Sequence, residues 1–202
     1  SAADLGTVTE SGTAGADDIQ GTTNQDVIDA GNGNDRVRGL NDDDAINGGG
    51  GNDYLFGGAG DDIIIGGAGT DYLVGDDGND LLYGQDDGDY LIGANGNDVL
   101  NGGAGDDFLS GGADDDILFG EDGADRLIGD ADDYTIYGDT GNYRIMGNAG
   151  DDLIYGGDDD DFIVGGDDDD EIYGESGDDY IMGDAGDDTI DGDIGSDFIF
   201  GG

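Results

Sequence analysis

Aspartate recurs at every ninth residue along almost the whole chain, and its carboxylates are the side chains best placed to do chemistry. Residues 12–200 form twenty-one consecutive units of nine with the pattern G-x-x-G-x-D-x-U-x, where U is aliphatic, without insertion or deletion. Carboxylates at one fixed position suit bound divalent cations, whereas a solvated acidic surface needs no fixed position. We therefore predict metal ligands at the sixth position of nineteen units: Asp17, Asp26, Asp35, Asp44, Asp53, Asp62, Asp71, Asp80, Asp89, Asp98, Asp107, Asp116, Asp125, Asp152, Asp161, Asp170, Asp179, Asp188 and Asp197.

The charge balance also requires cations. The chain has 53 acidic residues against four Arg, with a net charge of −49, a composition otherwise typical of an acidic disordered coil. Two carboxylates about 4 Å apart repel by roughly 4 kcal/mol at an effective dielectric of 20. Oxygen-only ligands in a tolerant geometry favour calcium over magnesium or a transition metal. An EF-hand is disfavoured because its loop needs a bidentate Glu, and the chain contains only four Glu.

Glycine-rich turns and short strands must position these carboxylates. The first position of each unit is Gly except at Ala30, and the fourth is Gly in fourteen units, residue types that accept positive φ. We predict a tight turn over positions one to five and a short strand over six to nine. Positions six and eight then face inward, and the eighth is Ile, Leu or Val in all twenty-one units. Two units, or eighteen residues, make one coil.

Carboxylates eighteen residues apart should therefore lie one above the other and share ions. Nineteen such pairs exist, and fifteen are complete, because the other four include Tyr134 or Tyr143. Those two tyrosines indicate either ordinary repeat decay or a metal-free layer that serves as a bend or contact point. Fifteen divalent ions carry +30, which would leave about −19 of the −49. A rod that stays acidic is not expected to bind nucleic acid.

The repeat resembles a known family. Residues 102–110 read G-G-A-G-D-D-F-L-S, which is similar to the nonapeptide of the RTX (repeats-in-toxin) calcium-binding proteins. The resemblance implies an all-β, right-handed parallel β-roll with two short parallel sheets and about 18 residues per coil. It also implies that each calcium takes two Asp carboxylates and backbone carbonyls from the turns. Residues 12–202 would form the roll, and residues 1–11 a separate segment.

The N-terminal segment can be aligned as a degenerate half-coil from Ala3 to Ser11, although Glu10 would then occupy a core position. It shows no signal peptide, and the chain has no apolar run long enough for a transmembrane segment. Cys is absent, so neither disulfides nor thiolate metal sites can stabilise the fold. Calcium is commonly millimolar outside cells, where weak oxygen sites fill, and we therefore expect an extracellular or cell-surface location.

The outward-facing positions carry more apolar residues than an isolated rod needs. Twenty-eight of the forty-two residues at positions seven and nine are aliphatic, aromatic, Met or Ala, and all four Arg lie there. Strand propensity and aromatic ladders are one explanation. The other is contact between subunits, because large exposed apolar patches mark interfaces. On this second reading the candidate interface residues are Tyr54, Tyr72, Tyr90, Phe108, Arg126, Arg144, Phe162, Tyr180 and Phe198.

These observations favour a structural role. His, Cys and Lys are absent, so most acid–base and nucleophilic mechanisms lack their side chains, and we do not expect an enzyme. We expect an extracellular calcium-binding protein that folds on calcium and self-associates face to face or, through uncapped ends, end to end, into a fibre, sheath or surface layer. The alternative is a calcium-triggered folding and secretion module of a larger secreted toxin, enzyme or adhesin.

Overall fold

The computed structural model describes residues 8–202, and within them the chain winds into a solenoid of about eleven coils with no helix. Strands alternate between two parallel eleven-stranded sheets. The first sheet contains β1 Val8–Ser11, β3 Asp26–Asp29, β5 Ala45–Gly50, β7 Ile63–Ala68, β9 Leu81–Asp86, β11 Val99–Ala104, β13 Ile117–Asp122, β15 Thr135–Thr140, β17 Leu153–Asp158, β19 Glu171–Ser176 and β21 Thr189–Asp191.

The second sheet takes the strands between them. It contains β2 Asp18–Gln20, β4 Arg36–Asn41, β6 Tyr54–Ala59, β8 Tyr72–Asp77, β10 Tyr90–Asn95, β12 Phe108–Ala113, β14 Arg126–Asp130, β16 Arg144–Ala149, β18 Phe162–Asp167, β20 Tyr180–Ala185 and β22 Phe198–Phe200. Every paired residue lies opposite the residue eighteen positions away, as Leu91 lies opposite Leu109. The all-β parallel roll with eighteen residues per coil is therefore confirmed.

The strands are longer and the turns shorter than predicted. A typical strand, Tyr54–Ala59, covers positions seven to nine of one unit and one to three of the next, and only positions four to six form the turn. Positive φ occurs at positions two and four, as at Gln85 and Asp87, rather than at one and four as predicted. The chain therefore bends inside the strand, where the pairing between coils skips position one and resumes at position two, as between Gly103 and Gln85.

The core is formed mainly by the eighth-position side chains, which line up in a file between the two sheets. From Ile28 to Ile181 these residues are at most 2 % exposed, and each packs against its neighbours along the file. Ile190 is only partly buried, and Ile199, in the final strand, is 44 % exposed. Because each sheet contributes only one layer of side chains to the core, the eighth position of every unit must be aliphatic.

The N-terminal segment enters the first sheet at Val8. Strand β1 pairs in parallel with β3, and Glu10 lies opposite Ile28 in the register of the core file. The aligned half-coil also includes residues 3–7, which lie outside the described residues. The backbone from Val8 to Ser11 therefore follows the eighteen-residue spacing even where the nonapeptide pattern is absent.

Candidate metal centre

The sixth-position aspartates form two buried columns, one along each edge of the solenoid. We call them the inner columns. Sixteen of the nineteen are at most 4 % exposed, although Asp is among the residues least often buried. Asp17, Asp188 and Asp197, in the terminal coils, are half-buried. Burying this many carboxylates side by side is unfavourable unless a hydrogen bond, a proton or a cation satisfies each of them.

One carboxylate oxygen is satisfied by the backbone of the neighbouring coil in seventeen of the nineteen aspartates, all except Asp17 and Asp26. Oδ1 accepts a hydrogen bond from the backbone N–H of the sixth residue one coil earlier, as in Asp80 N to Asp98 Oδ1 at 2.7 Å. Seventeen such bonds connect successive coils. The repeat spacing does not predict this contact, which ties the carboxylate to the coil beneath it even without an ion.

The other oxygen has no hydrogen-bond partner along most of each column. Among the described residues, fifteen Oδ2 atoms are buried without a donor. The exceptions near the N-terminus have a threonine: Asp17 Oδ2 accepts from Thr13 N at 2.7 Å, and Asp26 Oδ2 from Thr22 N at 2.5 Å. The fifteen are Asp35, Asp44, Asp53, Asp62, Asp71, Asp80, Asp89, Asp98, Asp107, Asp116, Asp125, Asp152, Asp161, Asp170 and Asp179.

The unpartnered oxygens lie against backbone carbonyls, which are also acceptors. A Cβ built on Gly156 would lie 2.7 Å from Asp161 Oδ2 and 2.7 Å from the carbonyl oxygen of Gly174. Glycine at position one is therefore required by the close approach of these oxygens and not by its φ. Two neighbouring acceptor oxygens can be joined by a cation or a proton, but they cannot hydrogen-bond to each other directly.

Burial strongly favours protonation of these carboxylates when no cation is present. It raises the pKa of Asp89 and of Asp98 to about 8, the backbone hydrogen bond opposes this rise, and repulsion from the adjacent column members adds to it. The same balance raises the pKa of Asp62 and of Asp71 to about 7. Near neutral pH these carboxylates are therefore close to their pKa, and each must take up either a proton or a metal ion to remain buried.

The oxygens fit a calcium ion that takes part of its shell from the backbone. Within residues 8–202, no three acidic, His or Cys side chains converge on one point. Calcium accepts six to eight oxygen ligands, including carbonyls, and does not need a cluster of side chains. The residues that would hold it are the sixth-position aspartates through Oδ2, together with the first-position carbonyls beside them. The ion would supply the positive charge that the columns lack.

A second set of turn residues shows that hydrogen bonding alone does not explain the choice of Asp. Fifth-position side chains accept from the backbone N–H one coil later, as Asn79 Oδ1 does from Asn97 N at 2.9 Å and Asp61 Oδ1 from Asn79 N at 2.9 Å. These acceptors, the outer ladder, are exposed and include both Asn and Asp. No sixth position is Asn, although its amide oxygen could accept the same bond. The inner columns therefore need a negative charge.

Tyr134 and Tyr143 occupy the sixth positions that lack Asp, and both side chains point inward. They are 1 % and 2 % exposed and belong to the core. The Tyr134 hydroxyl donates to the carbonyl oxygen of Gly112 at 2.6 Å, and the Tyr143 hydroxyl contacts the carbonyl of Glu121. The columns are thus interrupted on both edges, as the sequence indicated, but by buried phenols that the sequence did not predict.

The predicted interface residues lie side by side on the outer face of the second sheet. Tyr54, Tyr72 and Tyr90 form a ladder with ring centroids 5.9 and 6.5 Å apart. On the first sheet a more tightly stacked ladder has centroid spacings of 5.1 to 5.2 Å and contains Phe119, Tyr137, Tyr155 and Tyr173. Aromatic ladders of this kind stabilise parallel sheets, and this also holds for an isolated rod.

The arginines on the outer face of the second sheet lie against aromatic rings. Arg126 lies 5.6 Å from the ring centre of Phe108, and Arg144 lies 5.1 Å from that of Phe162. Arg126 and Arg144 are direct neighbours across β14 and β16. In the described part of the chain, the single ion pair joins Arg38 to Asp18 at 2.9 Å. The two neighbouring arginines are therefore exposed cations that lack an acidic partner within the solenoid.

A parallel roll whose turns present buried, unpartnered carboxylate oxygens defines a class of cation-binding repeat proteins. Comparison with protein families gives the same class: the RTX calcium-binding nonapeptide repeat matches overlapping segments that together cover residues 11–202. The chain therefore belongs to this family and has its calcium-binding β-roll fold. No curated protein matches the chain. Within residues 8–202 no helix has both the length and the apolarity needed to cross a membrane.

Proposed function

We propose that this chain is an extracellular structural rod that folds when calcium fills its inner columns and then associates with further copies through its outer faces. The observation that carries the proposal is the set of fifteen buried Oδ2 atoms without a donor. A chain with a net charge of −49 cannot bury these groups ionised without cations. Millimolar calcium outside the cell would fill sites of the expected weak affinity.

Calcium binding and folding are coupled in this proposal. Because the ligands come together only in the coiled state, ions that bind the folded chain stabilise it, and their removal returns the chain to coil. The test is circular dichroism in calcium and in EDTA, with calorimetry to count ions. We expect about fifteen ions per chain, the number of complete aspartate pairs. Unchanged strand content in EDTA at neutral pH would contradict the proposal.

A matched pair of variants separates the buried charge from total charge. Asp107 is buried in the inner column, and its neighbour Asp106 is exposed on the outer ladder and accepts from Ala124 N at 3.1 Å. Both changes, Asp107→Asn and Asp106→Asn, remove one negative charge and keep an amide acceptor. We expect Asp107→Asn to bind one or two fewer ions, since Asp107 belongs to two pairs, and Asp106→Asn to bind the wild-type number.

The association of rods is supported by the exposed ladder and its arginines. Tyr54 and Tyr90 are 56 % and 50 % exposed, and Arg126 and Arg144 lack acidic partners on their own rod. A second copy offers abundant carboxylates, and Arg binds these in bidentate geometry. Because an arginine face meeting an acidic edge is a heterologous contact, it would build open assemblies instead of closed dimers.

Sedimentation of the calcium-loaded protein tests association. We expect large species for the wild type and a shift towards single rods for the double variant Arg126→Ser, Arg144→Ser. Arg38→Ser is the control, because Arg38 is already paired with Asp18 within the same rod. Electron microscopy should show filaments or sheets. Short, uniform rods at high protein concentration would instead favour the alternative, a calcium-triggered module of a larger secreted protein.

A further inference from the structure

The two tyrosines lie in equivalent places on opposite edges of the solenoid. Each ring fills the space beside two first-position glycines: a Cβ on Gly111 would lie 2.5 Å from Tyr134 Cε1, and a Cβ on Gly120 would lie 2.5 Å from Tyr143 Cε1. Each hydroxyl reaches a second-position carbonyl twenty-two residues earlier. Ordinary repeat decay gives no reason for the same inward placement and the same contact to occur twice in succession.

The tyrosine hydroxyl provides the hydrogen-bond donor that an aspartate carboxylate at the sixth position lacks. A carboxylate beside backbone carbonyls adds a further acceptor to a site made of acceptors, so only a cation or a proton can join them. A tyrosine hydroxyl is a neutral donor and binds the carbonyl directly. Its ring also fills the turn with apolar volume. The half-coils that contain Tyr134 and Tyr143 therefore have no buried carboxylate to neutralise.

The backbone is uninterrupted where the columns break. Strands β13, β15 and β17 stay in the eighteen-residue register, as do β14, β16 and β18. The tyrosine backbone N–H groups also still donate to the following column members, Tyr134 N to Asp152 Oδ1 at 2.8 Å and Tyr143 N to Asp161 Oδ1 at 2.7 Å. The solenoid is thus continuous in its hydrogen bonds and discontinuous only in its candidate metal ligands.

We propose that Tyr134 and Tyr143 close their half-coils without metal, so that the chain takes up calcium as two separate blocks on either side of a metal-independent joint. This inference rests on the proposed calcium-coupled folding. We define the joint as residues 126–151, which lie between the last aspartate of the first block and the first aspartate of the second. Eleven complete aspartate pairs, from Asp17 to Asp125, precede the tyrosines, and four, from Asp152 to Asp197, follow them. The joint connects the two blocks and is the segment from which ordered coils would extend.

Hydrogen exchange measured by mass spectrometry tests the joint directly. In EDTA, wild-type peptides from residues 126–151 should exchange about tenfold more slowly than peptides from residues 53–98, as expected from two added net hydrogen bonds. In Tyr134→Phe, Tyr143→Phe, which keeps the rings and removes the donors, this difference should disappear while the number of bound calcium ions stays the same. Uniform exchange along the wild-type chain in EDTA would overturn the inference.

Calorimetry tests the division into blocks. The wild type should take up calcium in two phases with a ratio of sites near eleven to four. Tyr134→Asp, Tyr143→Asp completes four further pairs, so it should bind up to four more ions and merge the phases. A single phase in the wild type, or no added ions in the folded double variant, would overturn the inference. Absence of calcium uptake by the wild type would instead refute the proposed function.

Discussion

The fifth and sixth residues of each unit lie side by side in the turn, and ten side chains at position five and seventeen at position six accept backbone hydrogen bonds from a coil eighteen residues away. The outer ladder, at position five, is exposed and uses Asn or Asp, as at Asn79 and Asp61. The inner columns, at position six, are buried and use Asp without a single Asn. Since both residues can accept the bond, the difference shows that the columns are selected for charge and the ladder for hydrogen bonding.

The largest effect that we expect from this difference between columns and ladder is the response of the metal-free chain to acid. Burial raises the pKa of Asp62 and of Asp152 to about 7 and that of Asp98 to about 8, above the ordinary 3.8. The folded state therefore binds protons more tightly than the unfolded state, and the stability gained is complete below about pH 4 and lost as the pH rises through about 8. In EDTA, we expect strand content by circular dichroism to increase as the pH falls from 8 to 5.

Salt provides the control for that experiment. Added sodium chloride screens exposed carboxylates on the outer ladder but has much less effect on buried ones. If salt at pH 8 restored the strands in EDTA as well as acid does, exposed repulsion and not the inner columns would be the cause of unfolding. In calcium, the same acidification should lower calcium uptake, because protons compete for the same oxygens.

A single column residue gives the next largest effect. Asp80 N donates to Asp98 Oδ1, and Asp80 Oδ1 accepts from Asp62 N at 2.7 Å. Asp80 belongs to two pairs, so Asp80→Asn should cost about 2.7 kcal/mol for each ion lost when calcium is a hundredfold above its dissociation constant. Asp80→Ala should cost about 1 kcal/mol more, because the acceptor is lost as well.

Urea unfolding of both variants in calcium measures these costs, and circular dichroism compares their strand content in EDTA at pH 8. The penalty of Asp80→Asn should appear only in calcium; in EDTA, where removal of a buried charge is favourable, its strand content should equal or exceed that of the wild type. A loss of strand content in both conditions would mean that the carboxylate acts only as a hydrogen-bond acceptor.

Much of this architecture follows from the sequence because one periodicity determines it. An aliphatic residue at the eighth position of every unit, with no insertion, leaves the eighteen-residue register as the arrangement that buries nearly all of them, and it brings Asp80 above Asp62. The sixth-position spacing likewise located the columns. The family match then agreed with the pattern over residues 11–202.

What the sequence did not predict depends on local geometry that the residue types do not specify. Positive φ at Gln85 and Glu121 lets the strand continue through its bend, although neither residue is typical of a turn. The hydrogen bond to Oδ1 depends on the stagger between coils, which a repeat count does not give. The inward position of Tyr134 depends on two glycines, Gly111 and Gly129, that leave room for the ring.

The smallest expected effect is that of a substitution in the outer ladder, and it tests most directly whether position five differs from position six. Asn79→Ala removes an exposed acceptor for Asn97 N and should cost about 0.5–1.5 kcal/mol, the net value of one hydrogen bond. Asn79→Asp keeps the acceptor and adds a charge, so its stability in calcium should stay close to that of the wild type, with the same number of bound ions. Thermal unfolding and calorimetry in calcium measure both quantities. An added ion in Asn79→Asp would place position five among the metal ligands and remove the distinction between ladder and column.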